Sequence, residues 1–222
     1  MIDTLFVPRG PEERAVRRAL GRANAPHRVV ATGIGPLAAT LAVHDALAGP
    51  TMGRALVVGL CGLLSPALAV GETLVYGEIV SATDATVTID RAFASDIART
   101  LGYVQSGIRA LGVADVVTSG FEKLDLGRRH DAQAVDMESL PLVRCLQRAG
   151  VAVAVARVGS DAASDDLPDL HMALDGSGGL DSFALALAIL RRPIAGARLA
   201  RNGTLALAAL EAMIGALVAA RP

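Results

Sequence analysis

Short apolar runs rich in Val, Leu and Ile alternate with longer Ala- and Leu-patterned stretches along most of this sequence. The short runs read as strands buried on both faces, the longer stretches as helices covering them. The pattern predicts a strand over Ile2–Val7, then a helix over Pro11–Arg22 with Pro in its first turn. A strand over Arg28–Ala31 and a second Pro-started helix over Pro36–Ala48 follow. Ala55–Val58 is a short, wholly apolar strand. Glu72–Ala82 and Thr86–Ile89 are a longer strand and its neighbour, and Arg91–Leu101 is a helix. Val113–Thr118 reads as a buried strand, and Gln133–Val135 leads into a helix over Met137–Ala149. Val151–Val158 is the last clear strand. Asp161–Gly179 is dense in Asp, Gly and Ser, holds Pro168, and reads as a long functional loop. Two helices close the chain, broken near Pro193 and around Asn202-Gly203. This alternation describes an α/β layer fold.

Composition narrows the function. A length of 222 residues suits one domain. With 21 basic against 22 acidic residues, the chain is not a broadly basic nucleic-acid binder. The six aromatic residues (Phe6, Phe93, Phe121, Phe183, Tyr76 and Tyr103) are too few for a surface of stacked bases. Cys61 and Cys145 make neither a disulfide framework nor a zinc spacing, and no metal site is expected. Asp3, Glu12, Glu13 and several arginines near the start argue against a signal peptide, so a cytoplasmic location is the expectation. Asn202–Ala220 is apolar apart from Glu211, and reads as a core-covering helix in preference to a membrane span. Residues 183–222 carry five arginines against Glu211, a net +4. A solvated helix face explains this segment; a basic surface for anionic lipid or phosphate is the sharper alternative.

Four motifs can carry chemistry. Gly33-Ile34-Gly35-Pro36-Leu37-Ala38 fits the dinucleotide fingerprint G-x-G-x-x-A. The next strand lacks the acid that would hold a ribose, and Pro36 removes an N–H from the pyrophosphate position, so an oxidoreductase is a remote alternative. Gly59-Leu60-Cys61-Gly62 follows a buried strand, where α/β sheets bind ligands. Ala134-Val135-Asp136-Met137-Glu138-Ser139 sets two acids at a strand-to-helix junction. Asp136 can cap the helix, and Glu138 can accept both hydroxyls of a ribose. Gly159-Ser160-Asp161 ends the last strand, with Asp161 at the mouth of the polar loop as a candidate general acid.

Taken in order, Thr32-Gly33-Ile34-Gly35, Gly59–Gly62 with Val70-Gly71-Glu72, Val135-Asp136-Met137-Glu138 and Gly159-Ser160-Asp161 resemble the nucleoside phosphorylase and nucleosidase superfamily. That superfamily includes purine nucleoside phosphorylase and methylthioadenosine/S-adenosylhomocysteine nucleosidase. Glu122-Lys123 and Arg191-Arg192-Pro193 resemble its hopanoid-associated phosphorylase branch. The resemblance implies a single three-layer α/β domain over 1–222, a mixed central sheet flanked by helices, and cleavage of the N-ribosidic bond of a purine nucleoside. It implies that Glu138 holds the ribose hydroxyls, Met137 lies under the sugar and Asp161 protonates the base. Gly59 and Ser160 join the substrate site, and Phe121 stacks on the purine. A homo-oligomer, no nucleic acid and no cofactor are expected.

The nucleophile is phosphate in the phosphorylases, and in the nucleosidases a water activated by an N-terminal Glu. Gly10 and Arg14 match a phosphate-binding turn, whereas Glu12 or Glu13 can stand for the base; Glu13 is the one assigned here. The family's phosphate-binding Ser falls on Leu60 and its Arg on Val57, which weakens a phosphate site that Arg14 or an Arg from a neighbouring subunit would have to complete; hydrolysis and phosphorolysis, with phosphate as co-substrate, both stay open. Leu60 also makes that wall apolar, suiting a bulky 5′-substituent on an adenosine. A non-catalytic nucleoside-binding protein on the same fold is the remaining alternative.

Overall fold

The computed structural model describes residues 2–83, 85–102, 104–168 and 193–220. In chain order the elements are β1 (Thr4–Pro8), α1 (Pro11–Arg22), β2 (Arg28–Thr32), α2 (Pro36–Leu47), β3 (Arg54–Leu63), β4 (Thr73–Ser81) and β5 (Thr86–Thr88). They continue with α3 (Arg91–Leu101), β6 (Gln105–Gly112), α4 (Gly120–His130), β7 (Ala134–Asp136), α5 (Ser139–Arg148), β8 (Ala152–Asp161) and α6 (Pro193–Ala219). The helix expected before Pro193, the loop beyond Pro168, and Arg191, Arg192 and Arg221 lie outside the described residues.

The eight strands form one mixed sheet in the order β2-β1-β3-β7-β6-β4-β5, with β8 paired to both β3 and β4. β1, β2, β3 and β8 run parallel through the middle, whereas β7 is antiparallel to β3 and β4 antiparallel to β8. The pairings β3–β7–β6–β4–β8–β3 close on themselves. The chain steps from β1 to β2 in one direction and from β2 to β3 in the other. Right-handed crossovers therefore put α1 and α2 on opposite faces. α3 and α6 join α1 on its face, and α5 packs with α2 on the other. β3 and β8 are buried on both faces, and Leu56, Val57, Val58, Val153, Ala154 and Val155 have no exposed surface.

Several elements depart from the sequence pattern. Val113–Thr118 is not a strand; the strand lies earlier, at β6, and 113–118 runs as an irregular segment along the carboxyl ends of the sheet. Gly59–Gly62 does not form a loop but continues β3, which pairs with β8 through a register shift between Cys61 and Gly62. That shift sets Gly62 opposite Asp161, keeping both at the carboxyl end. Helix α4 was not foreseen.

α6 is one continuous helix, with no break at Asn202-Gly203. It is long and apolar enough to cross a membrane. Its buried residues Ala206, Leu210, Met213, Ile214, Leu217 and Val218 form the single stripe of a helix docked on a core. Glu211 takes ion pairs from Arg18 and Arg22 of α1.

Candidate active site

A cavity of about 230 Å³ opens at the carboxyl ends of β3 and β8. Its walls are Leu60, Val113, Val116, Val117, Leu167 and Leu199, and its polar groups include Glu138, Ser160 and Asp161. Met137, Cys61 and Gly62 complete the inner surface. The lining is aliphatic, with no aromatic ring among the described residues that form it.

Glu138 follows β7 and is buried. Its Oε1 accepts the Gly35 N–H at 2.9 Å, and its Oε2 stands 3.5 Å from Arg157 Nη2. The Gly33-Ile34-Gly35 turn therefore supplies a backbone donor to a carboxylate. Gly35 has φ 93°, and a Cβ there would sit 3.6 Å from the Met137 methyl. Burial raises the Glu138 pKa, with Asp136 adding to the rise and Arg157 opposing it. Asp136 caps α5: its Oδ1 accepts from Ser139 N at 2.8 Å and Glu138 N at 3.1 Å. Its Oδ2 accepts from Ser139 Oγ at 2.7 Å and Tyr76 Oη at 3.0 Å.

Arg157 was not foreseen. It lies on β8 with no exposed surface, donates to Ser139 Oγ at 3.0 Å and to Leu60 O at 3.3 Å, and faces both Asp136 and Glu138 at 3.5 Å. Burial alone would lower its pKa, but the surrounding carboxylates more than reverse that. The available signal was a charge inside the apolar run 151–158, which demands buried counter-charges. On the strand beside β3, Arg157 stands in register with Gly59.

Glu12, not Glu13, turns toward this cluster. Glu13 lies on the outer face of α1 and pairs with Arg17 at 2.8 Å, one turn on. The Glu12 carboxylate accepts the Leu60 N–H at 2.8 Å. Burial raises its pKa to about 8; Glu138 and Asp136 push it further up, while Arg157 and the Leu60 N–H hold it back. A signal was present in the helix pattern. Glu12 stands three and four residues before the buried Ala15 and Val16, on the same face.

Asp161 ends β8 and is buried. Its Oδ1 accepts from Ser160 Oγ at 2.6 Å and its Oδ2 from Lys123 Nζ, a fully buried ion pair. Ser160 Oγ also bonds to Cys61 O at 3.0 Å.

The remaining expected residues fall elsewhere. Phe121 is 77% exposed in the first turn of α4 and is absent from the cavity wall. Lys123 takes the inward position on that turn, and a residue two places earlier on a helix points away from it. Gly59 does not reach the cavity either. Its φ of 145° and missing side chain make room for Arg157, whose Nη1 would lie 2.5 Å from a Cβ. Gly10, at φ 106°, opens α1, and Arg14 is exposed on it; neither lines the cavity. No cluster of potential metal ligands occurs among the described residues.

No family model and no curated protein matches the sequence. Solved structures do match. The 5′-methylthioadenosine/S-adenosylhomocysteine nucleosidase of Neisseria meningitidis, in complex with methylthio-immucillin-A, superimposes with TM-score 0.72 at 16% identity, covering 98% of each chain. The corresponding nucleosidase of S. pneumoniae, with the transition-state inhibitor MT-ImmA, gives TM-score 0.67 at 15% identity, over 98% of this chain and 100% of that one. Futalosine hydrolase of Helicobacter pylori gives 0.64 at 17% identity, over 96% and 98%. Across nearly its whole length, this chain has the same fold as these nucleosidases and futalosine hydrolase.

Proposed function

We propose that the protein hydrolyses the N-ribosidic bond of a purine nucleoside, with a 5′-modified adenosine as the substrate class. The observation that carries water over phosphate is the Glu12 carboxyl on the Leu60 N–H. An incoming phosphate would need that donor, which the Glu12 carboxyl already occupies. A carboxylate with its pKa near 8 is suited instead to take a proton from water.

In this reading Glu138 binds the ribose hydroxyls, and Met137 lies beneath the sugar. Carboxylates beside the ribose stabilise the positive charge that develops as the bond to the base breaks. Arg157 holds Asp136 and Glu138 in place without reaching the substrate. Asp161 delivers a proton to the departing purine. The aliphatic wall around Leu60 favours an apolar 5′-group, and no cofactor is required. Self-association belongs to the same reading. It is supported by Leu37 and Leu41, 68% and 56% exposed one turn apart on α2.

The test is base release from adenosine, methylthioadenosine and S-adenosylhomocysteine, each with and without phosphate. Release at equal rates in both conditions is expected. Strict dependence on phosphate would overturn hydrolysis, and no release from any nucleoside by folded protein would overturn the enzyme reading.

A further inference from the structure

One buried ionisable group has no task in that mechanism. Lys123 sits in the first turn of α4 with no exposed surface. Two local preferences oppose it there. A cation is disfavoured at the positive end of a helix dipole, and a buried ammonium is tolerated only when fully partnered. Lys123 is fully partnered. Nζ donates to Asp161 Oδ2, to Asp165 O at 3.0 Å and to Ala162 O at 3.3 Å, which uses its three protons.

A purely structural pin is a poor explanation. The segment after β8 is already tied to the start of α4 by Gly120 N on Asp166 Oδ1 at 2.8 Å, and to the residues just before α4 by Leu167 N on Thr118 O at 2.8 Å. Arg198 of α6 holds Asp165 at 2.8 Å from the other side. Local rules broken without structural need mark a functional position. The ion pair also poses a chemical question. An Asp161 paired with an ammonium is a carboxylate, and a carboxylate has no proton to give a leaving base.

We propose, resting on the nucleosidase reading above, that Lys123 is the proton source behind Asp161. As the C1′–N9 bond breaks, its electron pair moves onto the purine. The purine N7 takes a proton through Asp161, and Lys123 Nζ replaces it. Asp161 ends as a carboxylate and Lys123 as a neutral amine. Water oxygen bonds to C1′, and the proton it loses goes to Glu12. One proton is gained at Glu12 and one lost at Lys123, so the sum is unchanged and solvent resets both after the products leave. Lys123 touches no substrate atom and is a positioning residue that acts through Asp161.

The experiment compares a purine nucleoside with 4-nitrophenyl riboside, whose leaving group departs without protonation. Lys123→Met should lose about 100-fold or more in kcat on the purine nucleoside, the scale of a general acid, and stay near wild type on the nitrophenyl riboside. Lys123→Arg keeps a cation but cannot release a proton, so it should show the same split. Near-wild-type purine turnover by Lys123→Arg would overturn the proposal, because the ion pair alone would then suffice. Equal loss on both substrates by a folded variant would overturn it too, leaving only a structural role. Wild-type protein inactive on both substrates would remove the nucleosidase reading, and this inference with it.

Discussion

Replacing Glu12 by Gln should make the protein more stable while removing its activity. The Glu12 carboxyl is neutral in the folded protein up to a pH of about 8, against an ordinary value of 4.5. The unfolded chain ionises from about pH 4.5 upward and gains free energy that the folded chain cannot match. Stability is therefore greatest below that value, falls as pH rises through the interval, and levels off above about 8. At about 1.36 kcal/mol per pH unit the full loss approaches 5 kcal/mol. Relaxation and water penetration reduce it, and about 2–4 kcal/mol is expected. Gln keeps the Leu60 N–H bond and does not titrate. Thermal unfolding of both proteins from pH 4 to pH 9 should give curves that meet at the acid end and diverge with rising pH. At about 2–4 °C per kcal/mol for this length, the variant should gain roughly 5–15 °C at pH 8. Its hydrolysis should fall by about 100-fold or more, with ligand affinity largely kept. Parallel unfolding curves would refute the buried, proton-holding carboxyl. Undiminished hydrolysis would refute the base.

Further outcomes follow from the same geometry. The wild-type kcat/KM should rise with pH and level near 8, as Glu12 loses its proton in the free enzyme; a flat profile between pH 6 and pH 9 would assign the base elsewhere. Phe121→Ala should leave purine affinity and stability within about 0.5 kcal/mol, because the ring is exposed; calorimetric titration checks this. Arg157→Met should cost about 3–5 kcal/mol in a denaturant titration, since three carboxyls lose their buried cation.

Much of the scaffold was legible because its punctuation is strong. Gly10-Pro11 and Gly35-Pro36 fix the starts of α1 and α2, and the observed helices begin at those prolines. The apolar runs located β1, β3 and β8, though β3 and β8 extend further than their uninterrupted hydrophobic cores. α4 was hidden because its inward position is Lys123, which breaks the apolar period by which a helix is recognised. β6 was hidden by the polar start Gln105-Ser106-Gly107. Within the site, the order of Met137, Glu138, Ser160 and Asp161 could be read because strand ends carry them. Glu12 and Glu13 were harder to separate: neighbours on a helix differ by about 100° in direction, and only the buried Ala15 and Val16 tell them apart. Arg157 and Lys123 act through partners far away in sequence, which spacing alone does not reveal.

The clasp between α1 and α6 has a consequence for how the molecule is made. Arg18 and Glu211 are 193 positions apart, yet they meet on the surface where the two helices pack. Contacts this distant in sequence form late, because the chain between them must be closed first. During synthesis at about 5–20 residues per second, α1 would wait roughly 10–40 s before α6 exists to cover it. Glu12 lies on that same first helix. The clasp thus ties the helix that carries Glu12 to a contact formed late in folding.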